Sequence, residues 1–286
     1  MLISRTLIDV ATAADLPPAE VLFVDCRVDL ADRQKGDHEY AASHIPGAVR
    51  ADLERDLSDM VTPANGRGRH PLPERALFEA FLATIGWRPD VQVVAYDSAG
   101  GALAAARFWW LARLAGLDNV AVLDGGWPAW LAANRPVDSV VPVRERTSVE
   151  ACFDEAGTVS AAELTAGLAS GHVVLLDARA APRYRGDVEP LDPVAGHVPG
   201  ARNRPFADNL DAQGLFRRPE ELRKAFEGLI GLTEPENVVH MCGSGVTACH
   251  NLLAMEYAGL CGSRLYAPSW SGWVSDRSRD VATGDH

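Results

Sequence analysis

Cys242 is the residue of this sequence best placed to act as a nucleophile. It opens the stretch Cys242-Gly243-Ser244-Gly245-Val246-Thr247, directly after the largely apolar run Val238-Val239-His240-Met241. That run reads as the end of a buried strand, and Thr247 to Gly259 reads as a helix. Between them, glycines let backbone N–H groups turn inward without a steric penalty. The helix start adds unpaired N–H donors and a partial positive charge. Such a loop is an anion cradle. A thiol in that field is expected to lose its proton more easily than a free cysteine. The loop is therefore built to hold a cysteine sulfur as an anion.

The other cysteines, Cys26, Cys152, Cys249 and Cys261, read as small core or surface residues. Five is an odd number in a long chain, and Met1-Leu2-Ile3-Ser4-Arg5-Thr6 lacks a signal-peptide core. A disulfide framework is not expected, and the reading is a cytoplasmic protein. No CxxC and no clustered Cys/His spacing supports a metal site. The formal net charge of −12 argues against nucleic acid or an anionic membrane as the main partner. No apolar run approaches the length of a membrane span. Small anions stay open as ligands, because they need only a local positive field.

The elements that must position Cys242 come in two similar sets. Val21-Leu22-Phe23-Val24-Asp25 is matched by Val173-Val174-Leu175-Leu176-Asp177, and His44-Ile45-Pro46-Gly47-Ala48 by His197-Val198-Pro199-Gly200-Ala201. Val93 to Gly100 matches Val239 to Gly245 in place and character, and Trp127-Pro128-Ala129-Trp130 matches Trp270-Ser271-Gly272-Trp273. Landmarks recurring in register mark an internal duplication. Helices are expected at Pro73 to Gly86, Gly101 to Ala115, Ser160 to Ala169, Pro219 to Leu229 and Thr247 to Gly259. Strands are expected near Val21 to Asp25, Val91 to Tyr96, Val120 to Leu123, Val173 to Asp177 and Asn237 to Met241. Ser160 with Glu163 spells a capping box. This alternation predicts an α/β fold of two tandem domains, each a parallel sheet flanked by helices. The boundaries read as a first domain over residues 1–135, a linker over 136–157 and a second domain over 158–286. The Gly101 to Ala115 helix is apolar nearly all round, so it should be buried on several sides. The tryptophan pairs read as core.

Taken together, these residues resemble the rhodanese family in its tandem two-domain form. The resemblance covers almost the whole chain. It rests on the strand-end aspartates, the paired His-(Ile/Val)-Pro-Gly turns and the single-cysteine loop. The Cys242 to Thr247 loop is similar to that of 3-mercaptopyruvate sulfurtransferases. Thiosulfate-preferring rhodaneses usually carry basic residues where Gly243 and Ser244 stand. The resemblance implies a sulfurtransferase in which Cys242 takes the outer sulfur of a small-molecule donor as a persulfide. The terminal sulfur would lie among the N–H groups of Gly243, Gly245, Val246 and Thr247. A thiol, small or on a thioredoxin-like protein, or cyanide would then remove it. No metal or organic cofactor is implied. Asp97 stands at the position matching Cys242, so the first domain is expected to be catalytically silent while supplying one wall of a cleft.

The resemblance also implies supporting residues. Arg183 would bind the anionic end of the donor. In mercaptopyruvate sulfurtransferases a second arginine often follows a Glu-Pro pair, but here Glu189-Pro190 is followed by Leu191. Ser244, His70 and Glu54 match a serine–histidine–acid group proposed to help deprotonate donor or cysteine. Arg179 and Arg185 read as structural, and His44 and His197 as fixing their turns. Three other readings compete. Thiosulfate could be the donor, with cyanide as acceptor. The chain could be a non-enzymatic sulfur carrier. A Cys-based phosphatase would need an arginine six residues after the cysteine, where Ala248 stands.

Overall fold

The alternation of apolar runs and helical segments resolves into two parallel sheets. The computed structural model describes residues 3–62 and 64–285. The chain divides into two compact units. The first comprises Met1–Asp59, Leu72–Asp154 and Ala212–Phe216; the second comprises Met60–Pro71, Glu155–Asp211 and Arg217–His286.

In the first unit the strands are β1 (Leu7–Ile8), β2 (Val21–Asp25), β3 (Val49–Arg50), β4 (Gln92–Tyr96) and β5 (Val120–Leu123). They lie in the order β1-β5-β4-β2-β3, with every neighbouring pair parallel. β2, β4 and β5 are buried at every residue. That is the condition of a strand covered by helices on both faces, and it explains their unbroken apolar runs. The helices are α1 (Val10–Ala14), α2 (Lys35–Ala42), α3 (Arg75–Thr84), α4 (Ala104–Leu114) and α5 (Gly126–Ala132). α4 is buried at every residue but Arg113, as its all-round apolar surface requires. Residues 139–154 carry no helix or strand, yet they are tied to this unit. Thr147 N–H donates to Ala83 O (3.0 Å), Ala151 N–H to Glu79 Oε1 (2.8 Å) and Cys152 N–H to Ala115 O (3.1 Å).

In the second unit the strands are β6 (Val174–Asp177), β7 (Arg202–Asn203), β8 (Val238–Met241) and β9 (Arg264–Leu265), in the order β7-β6-β8-β9 and all parallel. This repeats the order β3-β2-β4-β5 of the first unit. An isolated parallel bridge between Thr158 and Leu265 stands where β1 pairs with β5 in the first. Its helices are α6 (Ala161–Ala169), α7 (Ala181–Arg185), α8 (Pro219–Ile230), α9 (Ala248–Tyr257) and α10 (Ser269–Trp273). Ser160 and Glu163 form the expected capping box on α6.

The duplicated landmarks have structural duties. Asp25 and Asp177 each hold an arginine two residues on, Arg27 at 2.6 Å and Arg179 at 2.7 Å, with all four side chains buried. Those guanidinium groups lie 4.5 Å above Trp127 and Trp270. A buried ion pair costs desolvation, which the paired hydrogen bonds and the ring face offset. His44 and His197 sit against Tyr40 and Tyr184 in stacked pairs, and each places Nδ1 on that tyrosine's carbonyl, at 2.7 and 2.8 Å. They pin their turns, as expected. The tryptophans of each pair lie in the cores of their units.

Candidate active site

Cys242 follows the last residue of β8, which lies between β6 and β9 in the sheet. Its backbone is fixed on both sides. The N–H donates to Ser269 Oγ (3.1 Å), and the C=O accepts from Trp270 N–H (2.9 Å). Ser269 Oγ donates in turn to Tyr266 O at 3.0 Å, and Ser269 holds the uncommon left-handed φ of 52°. Strain of this kind persists only where the surroundings over-determine it. Sequence reasoning missed Ser269, because nothing local marks a serine before a tryptophan as a backbone clamp.

The loop then curls back on the sulfur. Gly245 N–H donates to Cys242 Sγ at 3.2 Å. Gly245 has φ +80°, and a Cβ there would lie 2.4 Å from Ala267 O, so only glycine fits. Val246 is buried, and Thr247 occupies the cap position of α9, one residue before the helix proper. Cys249 points its thiol at Gly245 O (3.4 Å) from inside α9, a packing role. Cys26 is also buried, while Cys152 and Cys261 lie at the surface.

A second segment, residues 64–71, completes the surroundings of the loop. Glycines seat it closely: a Cβ on Gly68 would lie 2.4 Å from Pro268 O, and one on Gly272 would lie 2.6 Å from Gly66 O. Arg69 N–H donates to Ser271 Oγ at 3.0 Å. The next residue, His70, places Nδ1 2.8 Å from Ser244 Oγ. Both side chains are buried, so one shared proton sits between two groups largely shielded from water. The serine and histidine of the expected relay are thus in direct contact, 174 residues apart in sequence. Glu54 lies in the first unit, with Oε2 3.0 Å from Arg33 Nε.

Arg183 projects from α7 and is held by two acids. Its Nη2 lies 2.6 Å from Glu189 Oε1 and 3.5 Å from Asp192 Oδ2. Glu189 also takes Arg179 at 3.3 Å. Burial pushes the Glu189 carboxyl up, but the Arg183 hydrogen bond and the Leu191 and Asp192 N–H groups outweigh it and hold it below the usual range. Arg185 turns instead to Asp187 at the surface, and Leu191 is exposed. Arg69, which sequence reasoning passed over, forms an ion pair with Asp192. A Cβ built on Gly243 would lie 3.0 Å from Arg69 Nη2 and 3.5 Å from Arg183 Nη1. Two guanidinium groups therefore border a loop whose own side chains carry no charge. The hint in the sequence was adjacency: Arg69 precedes the histidine that touches the loop.

The first unit shows what this loop looks like without the thiol. Asp97 follows β4 as Cys242 follows β8, and its C=O accepts from Trp127 N–H at 2.8 Å, the counterpart of the Trp270 bond. Its carboxylate fills the cradle from within. Oδ1 accepts from Ala99 and Gly101 N–H, both at 2.9 Å, and Oδ2 from Leu103 (3.0 Å) and Ala105 (3.2 Å). Burial pushes this carboxyl up, and the four N–H bonds return only part of that shift. A carboxylate cannot carry sulfane sulfur.

The chain matches the family model for the Rhodanese-like domain twice, over residues 10–133 and 160–276. It is 46% identical to the "Probable 3-mercaptopyruvate sulfurtransferase" of Pseudomonas aeruginosa, over 96% of each chain. It is 40% identical to the protein of Mycobacterium tuberculosis provisionally named thiosulfate sulfurtransferase SseB, over 93% of this chain and 92% of the other. Among solved structures, 3-mercaptopyruvate sulfurtransferase from Leishmania major superposes with a TM-score of 0.82 at 31% identity. That match covers 93% of this chain and 73% of the other.

Proposed function

The chain belongs to the rhodanese family, and from that membership we propose that it moves sulfane sulfur from 3-mercaptopyruvate to a thiol or to cyanide through a persulfide on Cys242. The observation that carries the proposal is the Ser244–His70 hydrogen bond, 2.8 Å long and buried, beside a sulfur that accepts a backbone N–H. 3-Mercaptopyruvate is a thiol, so its sulfur leaves carbon only if a proton is managed as well.

In the proposed reaction the Cys242 thiolate attacks the donor sulfur and forms an S–S bond. The donor C–S bond breaks, and its electron pair passes to carbon as the enolate of pyruvate. That carbon takes up a proton, and pyruvate departs. Sulfur is oxidised to the sulfane level and the donor carbon is reduced, so no outside oxidant is needed. Ser244 and His70 hand protons between donor and solvent in this step. The N–H groups of Gly243, Gly245, Val246 and Thr247 hold the outer sulfur of the persulfide. An acceptor thiolate or cyanide then attacks that sulfur, and Cys242 leaves as the thiolate. The natural acceptor in this reading is a small thiol or a thioredoxin-like protein, in the reducing cytoplasm that such thiols require. No helix of the described residues is long and apolar enough to cross a membrane.

Mass spectrometry after donor treatment tests the assignment. Added sulfur is expected on the peptide containing Cys242, and sulfur transfer surviving in Cys242→Ser would refute it. A second reading, thiosulfate as the main donor, draws on the name of the M. tuberculosis relative. Comparing kcat/KM for the two donors decides between them.

A further inference from the structure

We infer that Arg69 binds the donor, as the second arm of a two-guanidinium clamp that receives the carboxylate of a monoanionic α-keto thiol beside Gly243; this rests on the sulfurtransferase reading above. Leu191, which follows the Glu189-Pro190 pair, is exposed and carries no charge. Arg69 reaches the loop from a different segment. Its backbone is anchored by the Ser271 bond, and its guanidinium by Asp192. Asp192 takes Nη1, and Nη2 is the atom that faces Gly243. Arg183 meets the same spot with Nη1 and Nη2, at 3.5 and 3.6 Å from the built Cβ. The missing side chain of Gly243 thus leaves both guanidinium groups next to the loop that holds Cys242. An anion seated there meets two planar forks, the geometry that suits a carboxylate.

Charge around the clamp limits which anion it takes. Arg69, Arg179 and Arg183 face Asp177, Glu189 and Asp192, three positive groups against three negative. The cluster is formally neutral. A single carboxylate gains directed hydrogen bonds from the guanidinium edges, whereas a dianion finds no net positive field to offset its second charge. Asp192, with its side chain 4% exposed, is the shared counter-ion and acts as a positioning residue for both arms.

Arg69→Gln and Arg69→Lys test the clamp, assayed with 3-mercaptopyruvate and with mercaptoacetone, which keeps the thiol and ketone but lacks the carboxylate. The Arg69 side chain is about one-third exposed, and its backbone bond to Ser271 survives either change, so both variants should fold. Arg69→Gln should raise KM for 3-mercaptopyruvate about ten- to a hundredfold and leave kcat within about threefold. Turnover of mercaptoacetone should stay within about threefold, and Arg69→Lys should recover part of the loss. A residue that merely latches residues 64–71 in place would weaken both donors alike, and that result, or an unchanged KM, overturns the inference. Calorimetry with pyruvate reads the same clamp without turnover, and Arg69→Gln should weaken that binding about tenfold or more. Pyruvate binding that depends on Arg69 in a protein forming no persulfide would keep the clamp and remove the sulfurtransferase reading. Persulfide formation with pyruvate binding indifferent to Arg69 would do the reverse.

Discussion

Replacing Ser244 with alanine should slow sulfur transfer from 3-mercaptopyruvate far more than transfer from thiosulfate. The two donors differ in what leaves. Thiosulfate releases sulfite, an anion that departs without a proton. 3-Mercaptopyruvate starts as a thiol and releases an enolate, so a proton must leave sulfur and another must reach carbon. The Ser244–His70 contact, buried beside the loop at 2.8 Å, is the pair proposed to handle those protons. Losing one such bond costs about 1–3 kcal/mol, which is roughly five- to 150-fold in rate if the bond is felt in the transition state. Positioned acid–base catalysis is typically worth about 10²- to 10⁴-fold. The two scales overlap near a hundredfold, and that is the expected fall in kcat with 3-mercaptopyruvate. Transfer from thiosulfate should change by no more than a few fold. Since the pair acts as a unit, Ser244→Ala/His70→Gln should be scarcely slower than either single variant. Pyruvate release and thiocyanate formation measure the two reactions on the same preparations. Equal losses with both donors would mean that the pair only shapes the loop, and the proton role would have to be abandoned.

Two further expectations concern the sheet ends and the core. Asp97→Asn leaves one acceptor oxygen and puts an amide N–H₂ against two of the four N–H groups that now bind the carboxylate, a loss of about 3 kcal/mol. Hydrogen exchange over residues 97–105 should speed up accordingly, and unchanged protection would show that the carboxylate does not close this loop. His240 is fully buried in β8 with Nε2 3.2 Å from Met255 Sδ, and burial lowers its pKa to about 3 from an ordinary 6.5. Its folded pKa is the depressed one, so its neutral form contributes stability above pH 6.5 that is lost as pH falls toward 3. The slope is about 1.4 kcal/mol per pH unit at most. Denaturant unfolding between pH 6.5 and 5 should show this slope, and His240→Leu should flatten it. A His240→Leu variant that keeps the slope would place the proton uptake elsewhere.

What the sequence determined by itself is whatever depends on near neighbours along the chain. Strand-to-helix loops, the Ser160–Glu163 cap and the buried runs of β2, β4, β5, β6 and β8 follow from local periodicity and turn chemistry. The duplication was visible because both copies need the same strand-end acid and the same Pro-Gly turn. Short edge strands such as β3, β7 and β9 were not legible. Two residues carry no period, and pairing with a neighbour is what makes them strands. The reach of the candidate site was decided by tertiary structure. Residues 64–71 precede α3 of the first unit in the chain but pack in the second, so His70 meets Ser244 and Arg69 meets Asp192 across more than a hundred residues. Sequence offered Leu191 as a missing charge. Folding brings Arg69 to the loop instead, because a guanidinium can be delivered by any segment whose backbone passes close enough. Only the packing of Gly68 and Gly272 against Pro268 and Gly66 lets this one pass.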